Sequence, residues 1–181
     1  MRRVSGMARF ASRAIAAALL LLAAATSSGA RADSTGSGES AFARQNFVRS
    51  ASIFMRRAQH GNAEAQTYLG YMYSNGRGVP QDYAAAALWL RRAADQGYPT
   101  GQFLLGLLYD KGHGLKQDFP EAYFWLNLAA AHASIRQRDY WTRIRNAVAG
   151  KLTLDELANT QNRAVAWRPT REREARARQP D

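Results

Sequence analysis

The sequence predicts an all-α fold, a solenoid of stacked helical pairs, and three observations carry that expectation. Residues 65–97 are written a second time at a constant offset of 36 residues. Leu69, Gly70 and Tyr73 return as Leu105, Gly106 and Tyr109, and Asp82, Ala86 and Trp89 return as Asp118, Ala122 and Trp125. A fixed period of roughly 20–50 residues is the mark of stacked repeats. Within each copy the apolar residues recur at helical spacing, as in Ala65, Leu69 and Tyr73, which share one helix face. Between the two helical stretches stand paired glycines, Gly76 with Gly78 and Gly112 with Gly114, which supply the positive φ that a sharp reversal needs.

Taken in order, residues 1–32 read as a secretory leader. Arg2, Arg3, Arg9 and Arg13 precede an apolar run over residues 14–25, and Ala30-Arg31-Ala32 places small residues where a signal peptidase cuts. The run is about 12 residues, short of the roughly 20 that span a bilayer, so cleavage after Ala32 is expected in preference to an anchor, with no transmembrane segment left. Export to the periplasm or beyond follows from that reading. Residues 33–40 are small and polar and read as a flexible linker. Residues 41–61 read as an N-terminal cap: set back by 36, Asn46, Phe47, Ile53 and Ala58 fall opposite Asp82, Tyr83, Trp89 and Ala94.

Residues 62–97 form the first full repeat and residues 98–133 the second. The first helix of the unit spans about 62–75. Gly70 sits inside it, where glycine costs roughly 1 kcal/mol against alanine, and its return as Gly106 points to a close helix approach. The second helix starts at the N-cap Asp82, buries Ala86, Trp89, Leu90 and Ala93, and ends at Gly97. Residues 134–169 read as a divergent terminal repeat and closing helix. Ser134 with Gln137 and Thr153 with Glu156 are capping boxes, and Pro169 stops the last helix. Trp141, Thr142 and Arg145 stand where the repeat has Leu, Gly and Tyr. Residues 170–181 carry four arginines and three acids without a large apolar side chain, and read as a disordered tail.

The pattern A-x3-L-G-x2-Y, followed by G-x-G-V, D-x3-A-x2-W and A-A-x2-G over residues 65–97, resembles the Sel-one-like repeat (SLR) family, relatives of the tetratricopeptide repeats. The second copy departs from it at Gly101, Leu115 and Ala133. The resemblance implies a right-handed αα-superhelix of two full repeats plus capping helices. It also implies a scaffold or regulator that binds a protein or peptide partner and has no chemistry of its own. Bacterial relatives of this kind serve envelope signalling and maintenance.

Composition narrows the alternatives. Without cysteine there is no disulfide, thiol nucleophile or thiolate metal site. The formal charge of +11 includes five leader arginines, and the remaining arginines form no continuous stripe, which speaks against nucleic acid. His60 and His132 occupy equivalent places two repeats apart, roughly 20 Å by ordinary helix spacing, too far to share an ion. His113 sits in a turn. No metal and no cofactor is expected. Asp155 and Glu156 are explained by their capping box, and no nucleophile motif appears, so an enzyme is not expected. The competing reading is a peptidoglycan- or β-lactam-directed hydrolase or binding protein, but the cysteine-rich relatives linked to β-lactams rely on paired cysteines that are absent here. Trp89 and Trp125 belong to the buried stripe, not to a sugar-stacking platform.

The resemblance also implies where a partner docks, since the first helix of each unit lines the concave face. The groove positions are then Glu64, Thr67, Tyr71 and Ser74, followed by Thr100, Phe103, Leu107 and Asp110, and by Arg136, Asp139 and Arg143 in the terminal unit. The segment around Phe103 is apolar all round, so Phe103 and Leu107 are expected to stay partly open. With Tyr71 they form an apolar floor beside a basic edge, which suits a peptide with a hydrophobic anchor and an acidic flank.

Overall fold

A computed structural model describes residues 37–170, which form eight helices and no strand. The expected leader, and the tail beyond Thr170, lie outside the described residues. The helices are α1 (Gly38–Ala43), α2 (Phe47–Gln59), α3 (Ala63–Asn75), α4 (Tyr83–Asp95), α5 (Pro99–Lys111), α6 (Phe119–Ala131), α7 (Ile135–Ala149) and α8 (Leu154–Ala166). The helices α3 and α5, and likewise α4 and α6, begin and end 36 residues apart, in register with the repeat.

Local chemistry explains the boundaries. Asp82 accepts from the N–H groups of Ala84 and Ala85 at 2.9 and 3.0 Å, and Asp118 accepts from Glu121 at 2.8 Å, so both second helices start on a carboxylate. Gly76 and Gly112 end the first helices at φ 63° and 67°. The side-chain amides of Gln81 and Gln117 then donate to the carbonyls of Ser74 and Asp110, 2.8 and 2.7 Å away, at the frayed end of the same helices.

Within each pair the helices meet at a glycine. A Cβ on Gly70 would lie 2.4 Å from Leu90 Cγ, and one on Gly106 would lie 2.7 Å from Leu126 Cγ. The same contact appears a third time. A Cβ on Gly38 would lie 2.7 Å from Phe54 Cε1, and Phe54, Leu90 and Leu126 are successive positions 36 apart. The pair α1–α2 is therefore a repeat whose first helix is cut short and whose connection has lost four residues. This differs from the expected single cap helix after a linker. The chain breaks at Arg44-Gln45-Asn46, with Gln45 at φ 60°, and residues 38–40 are helical because Ser37 caps them through the N–H of Ser40 at 3.1 Å.

Units stack through the second glycine of each turn. A Cβ on Gly78 would lie 2.4 Å from the Phe47 carbonyl oxygen, and one on Gly114 would lie 2.2 Å from that of Tyr83. Phe47 and Tyr83 open the second helices of the preceding pairs, so each turn sits directly on the backbone of the unit before it. Buried amides bind the same junctions. Gln66 donates to the Ala58 carbonyl at 3.1 Å, and Gln102 to that of Ala94 at 3.2 Å. Around these contacts lies one continuous apolar core that includes Leu69, Met72, Leu90, Leu105 and Leu126, and Trp89 and Trp125 are both buried in it, as expected.

The terminal pair departs from the rule. The helix α8 packs chiefly on α6 and not on α7. The Gly–Leu contact of the other pairs is replaced there by Thr142 and Asn162, one repeat further along, and Asn162 is exposed. Instead α8 turns Leu157, Ala164 and the following Trp167 to the core. Arg163 pairs with Glu121 at 2.5 Å and lies over the Phe124 ring, while Gln161 donates to the Tyr123 hydroxyl at 3.2 Å.

Replacing Gly106 with Ala should lower stability by about 1–3 kcal/mol, the usual cost of forcing a methyl into a packed core. Gly150 adopts φ −66°, and a Cβ there would meet nothing nearer than 3.7 Å. The Gly150→Ala change should stay within roughly 0.5 kcal/mol. Chemical denaturation of the two variants checks the contrast.

Candidate partner-binding face

The inner positions of α3, α5 and α7 are those that the repeat frame assigns to a partner. Their surroundings divide them into three groups. Thr67, Tyr71, Thr100, Phe103 and Asp110 are buried. Glu64, Ser74 and Leu107 are half-buried, and Arg136, Asp139 and Arg143 are exposed.

The expected apolar floor is therefore closed. Phe103 is 0 % exposed and stacks on Trp141 with ring centroids 4.7 Å apart and planes at 9°. Tyr140 adds a second ring at 6.0 Å. Tyr71 lies beneath Phe42 of α1, 5.9 Å away, with the Arg77 guanidinium 5.5 Å over its face. Each end of the short stack thus supplies an aromatic residue that covers the neighbouring unit. The expectation that Phe103 stays open is corrected on that ground, and only Leu107 of the two remains partly accessible. Trp141, which reads as a break in the repeat pattern, is the lid over Phe103.

The polar members are tied into the fold. Thr67 donates its hydroxyl to the Ala63 carbonyl and Ser74 to that of Gly70, both at 2.9 Å. Glu64 lies 3.7 Å from Arg57. Burial raises its carboxyl pKa, and the nearby Glu39 adds to this, while Arg57 pulls the other way. Burial would also raise the Asp110 carboxyl, but hydrogen bonds from Lys151 and Lys111 outweigh it and hold the group below its ordinary value. Asp110 thereby links α5 to Lys151, two residues past the end of α7. The rim is different. Among the described residues Arg136, Arg138 and Arg143 form no ion pair, and Asp139 is the one acid on their helix.

Sequence reasoning missed one feature of the outer side. A cavity of about 530 Å³ lies between the C-terminal ends of α4 and α6, helix α8 and the segment that follows it. The three histidines do not converge on it or on each other. His60 and His132 each bond through Nδ1 to a carbonyl of their own helix, and His113 rests against the Tyr83 ring at 4.4 Å. Among the described residues no group of three or more His, Cys, Asp or Glu is placed to hold a metal ion. No described helix is long and apolar enough to cross a membrane.

Stacked helical pairs in a constant frame define the molecule as an α-helical repeat protein. The Sel1 repeat family matches residues 63–98 and 99–134, and the chain carries two Sel1 repeats. It is similar to the crystal structure of a protective antigen of uropathogenic Escherichia coli strains that displays an SLR fold, with 29 % identity, 78 % of this chain and 30 % of the other covered, and a TM-score of 0.67. It is also similar to a Sel1 repeat protein from Oxalobacter formigenes, with 30 % identity, 58 % and 44 % covered, and a TM-score of 0.52. The chain thus spans less than half the length of either relative. No curated protein matches it. Sel1 repeat proteins generally act in protein–protein interaction, and the fold is typically a non-enzymatic scaffold.

Phe103→Asp should unfold the protein or cost roughly 3–5 kcal/mol, since it removes a fully packed ring and buries a charge. Leu107→Asp should cost about 1 kcal/mol or less, as for a partly open site. Thermal melts followed by circular dichroism separate the two.

Proposed function

We propose that the protein is an exported scaffold that holds a partner protein or peptide along the inner edge of α5 and α7, in the bacterial envelope. The observation that carries this reading is the basic rim. Arg136, Arg138 and Arg143 are exposed and without ion pairs on a helix whose neighbour offers the half-buried Leu107. The site is shallower than a deep apolar groove. Electrostatic capture by the rim comes first, and Leu107 with the half-buried Tyr140 supplies the apolar contact. A partner with an acidic flank fits that surface, and rim charges act mainly on association rate and salt dependence. Export rests on the basic start, the short apolar run and the Ala30-Arg31-Ala32 site.

A photo-crosslinking residue in place of the exposed Ala147, one turn beyond Arg143 on α7, should trap a specific adduct in a periplasmic extract, and one placed at Asp155 on α8 should not. Arg136→Glu with Arg143→Glu should abolish the adduct with the melt unchanged, and raising salt from about 0.01 to 0.15 M should weaken capture as screening tightens. Equal trapping from both positions, or an adduct that survives charge reversal, removes the reading. N-terminal sequencing of the envelope form should begin at Asp33; a form beginning at Met1 removes the export part.

A further inference from the structure

The chain does not leave the molecule where α8 ends. Trp167 is extended, at φ −66° and ψ 143°, and its ring meets that of Trp125 edge-on, with centroids 6.2 Å apart. Two residues on, Pro169 lies against Gly97, its Cβ 3.2 Å from where a side chain there would begin. The N–H of Thr170 then donates to the Asp95 carbonyl at 2.7 Å. An aromatic ring, a proline and a backbone hydrogen bond, spaced along four residues, thus mark a slot that crosses α6 and reaches the C-terminal end of α4.

Beside this strap lie open space and, on the ring that Trp167 touches, an unpaired donor. The cavity of about 530 Å³ borders the strap itself, with Trp167 and Pro169 on one side and Leu128, Ala131 and His132 on the other. Trp125, 2 % exposed, keeps an indole N–H that has no acceptor among the described residues. Buried donors are almost always paired. Nor does Arg168 fasten the strap to the helices, since its guanidinium turns back to the carbonyls of Val165 and Trp167.

We infer that the slot is a second docking site, for an extended protein segment with an aromatic residue two positions before a proline, and that residues 167–170 occupy it in cis as a stand-in. The strap itself defines the ligand chemistry. The ring packs on the edge of Trp125, the proline on the open face of Gly97, and a backbone N–H reaches the Asp95 carbonyl. A ligand free of the tether to α8 adds what the strap lacks, a carbonyl placed to accept from Trp125 Nε1. An extended, proline-containing segment is already ordered, so it loses little entropy on docking. The site shares no residue with the inner rim, so its fate is independent of that proposal.

The test uses the full-length protein and a fluorescently labelled peptide of sequence AWRPT. Wild-type protein should bind it weakly, because the strap competes. Trp167→Ala with Pro169→Ala should empty the slot and tighten binding by about tenfold or more, the penalty that a mostly occupied site imposes. Adding Trp125→Phe, which keeps a ring and removes the N–H, should weaken that binding several-fold. A double variant that melts like wild type yet binds no tighter overturns the proposal, as does one that unfolds, which would make the strap a structural clasp. Binding indifferent to Trp125→Phe also overturns it. So does a wild-type dimer in light scattering that the double variant dissolves, which would show that the slot receives a second copy's strap.

Discussion

The close approach of two helices at a glycine is the constraint on which the remaining architecture depends. At Gly70 and Gly106 the space for a Cβ is already taken by Leu90 and Leu126. That approach fixes the distance within a pair. The turn glycines fix the next distance, because Gly78 and Gly114 lie on the carbonyls of Phe47 and Tyr83. With both distances set by contacts at glycine, side chains elsewhere are free to vary. Arg91 bonds to the Tyr109 hydroxyl at one junction, and at the next the polarity is exchanged, with Arg145 on the first helix reaching Asn127 on the second. The geometry survives the swap because neither pair sets it.

The ends show what happens when the constraint is altered. At the start, Gly38 keeps the contact while the connection shortens, and Phe42 is thereby carried over Tyr68 and Tyr71. At the finish, Thr142 and Asn162 cannot make it, and α8 finds its partner in α6. Trp141 and Phe42 then close the inner face from opposite ends. A solenoid of this length has almost no interior that is not also an end, so an open apolar groove has no room to persist.

Much of this was legible because identity at a fixed offset is a strong signal. The turns, the caps at Asp82 and Asp118, and the burial of Trp89 and Trp125 could all be read from the repeat alone. The helix α1 could not, because the lost connection residues take Gly38 out of frame with Gly70 and leave it in a run of small polar residues that resembles a linker. Gln66 with Gln102, and Gln81 with Gln117, do recur in frame, but a polar residue carries no mark of burial until the carbonyl it serves is seen. The inner face was misjudged at Phe103 because its cover, Trp141, belongs to the unit that breaks the pattern. The strap was missed because Pro169 says where a helix stops and nothing of where the chain goes next.

The exposed arginines of α7 have a further consequence for growth. Stacking in this fold is head-to-tail, and a head-to-tail interface has no symmetry to close it, so a terminal surface like that of α5 would accept another molecule and then another. The helix α7 instead presents Arg136, Arg138 and Arg143 where an apolar neighbour would have to settle. The N-terminal end meets it with Arg44, Arg49 and Arg56, also exposed. Like charge on both faces opposes a head-to-tail contact between two copies of the described repeats.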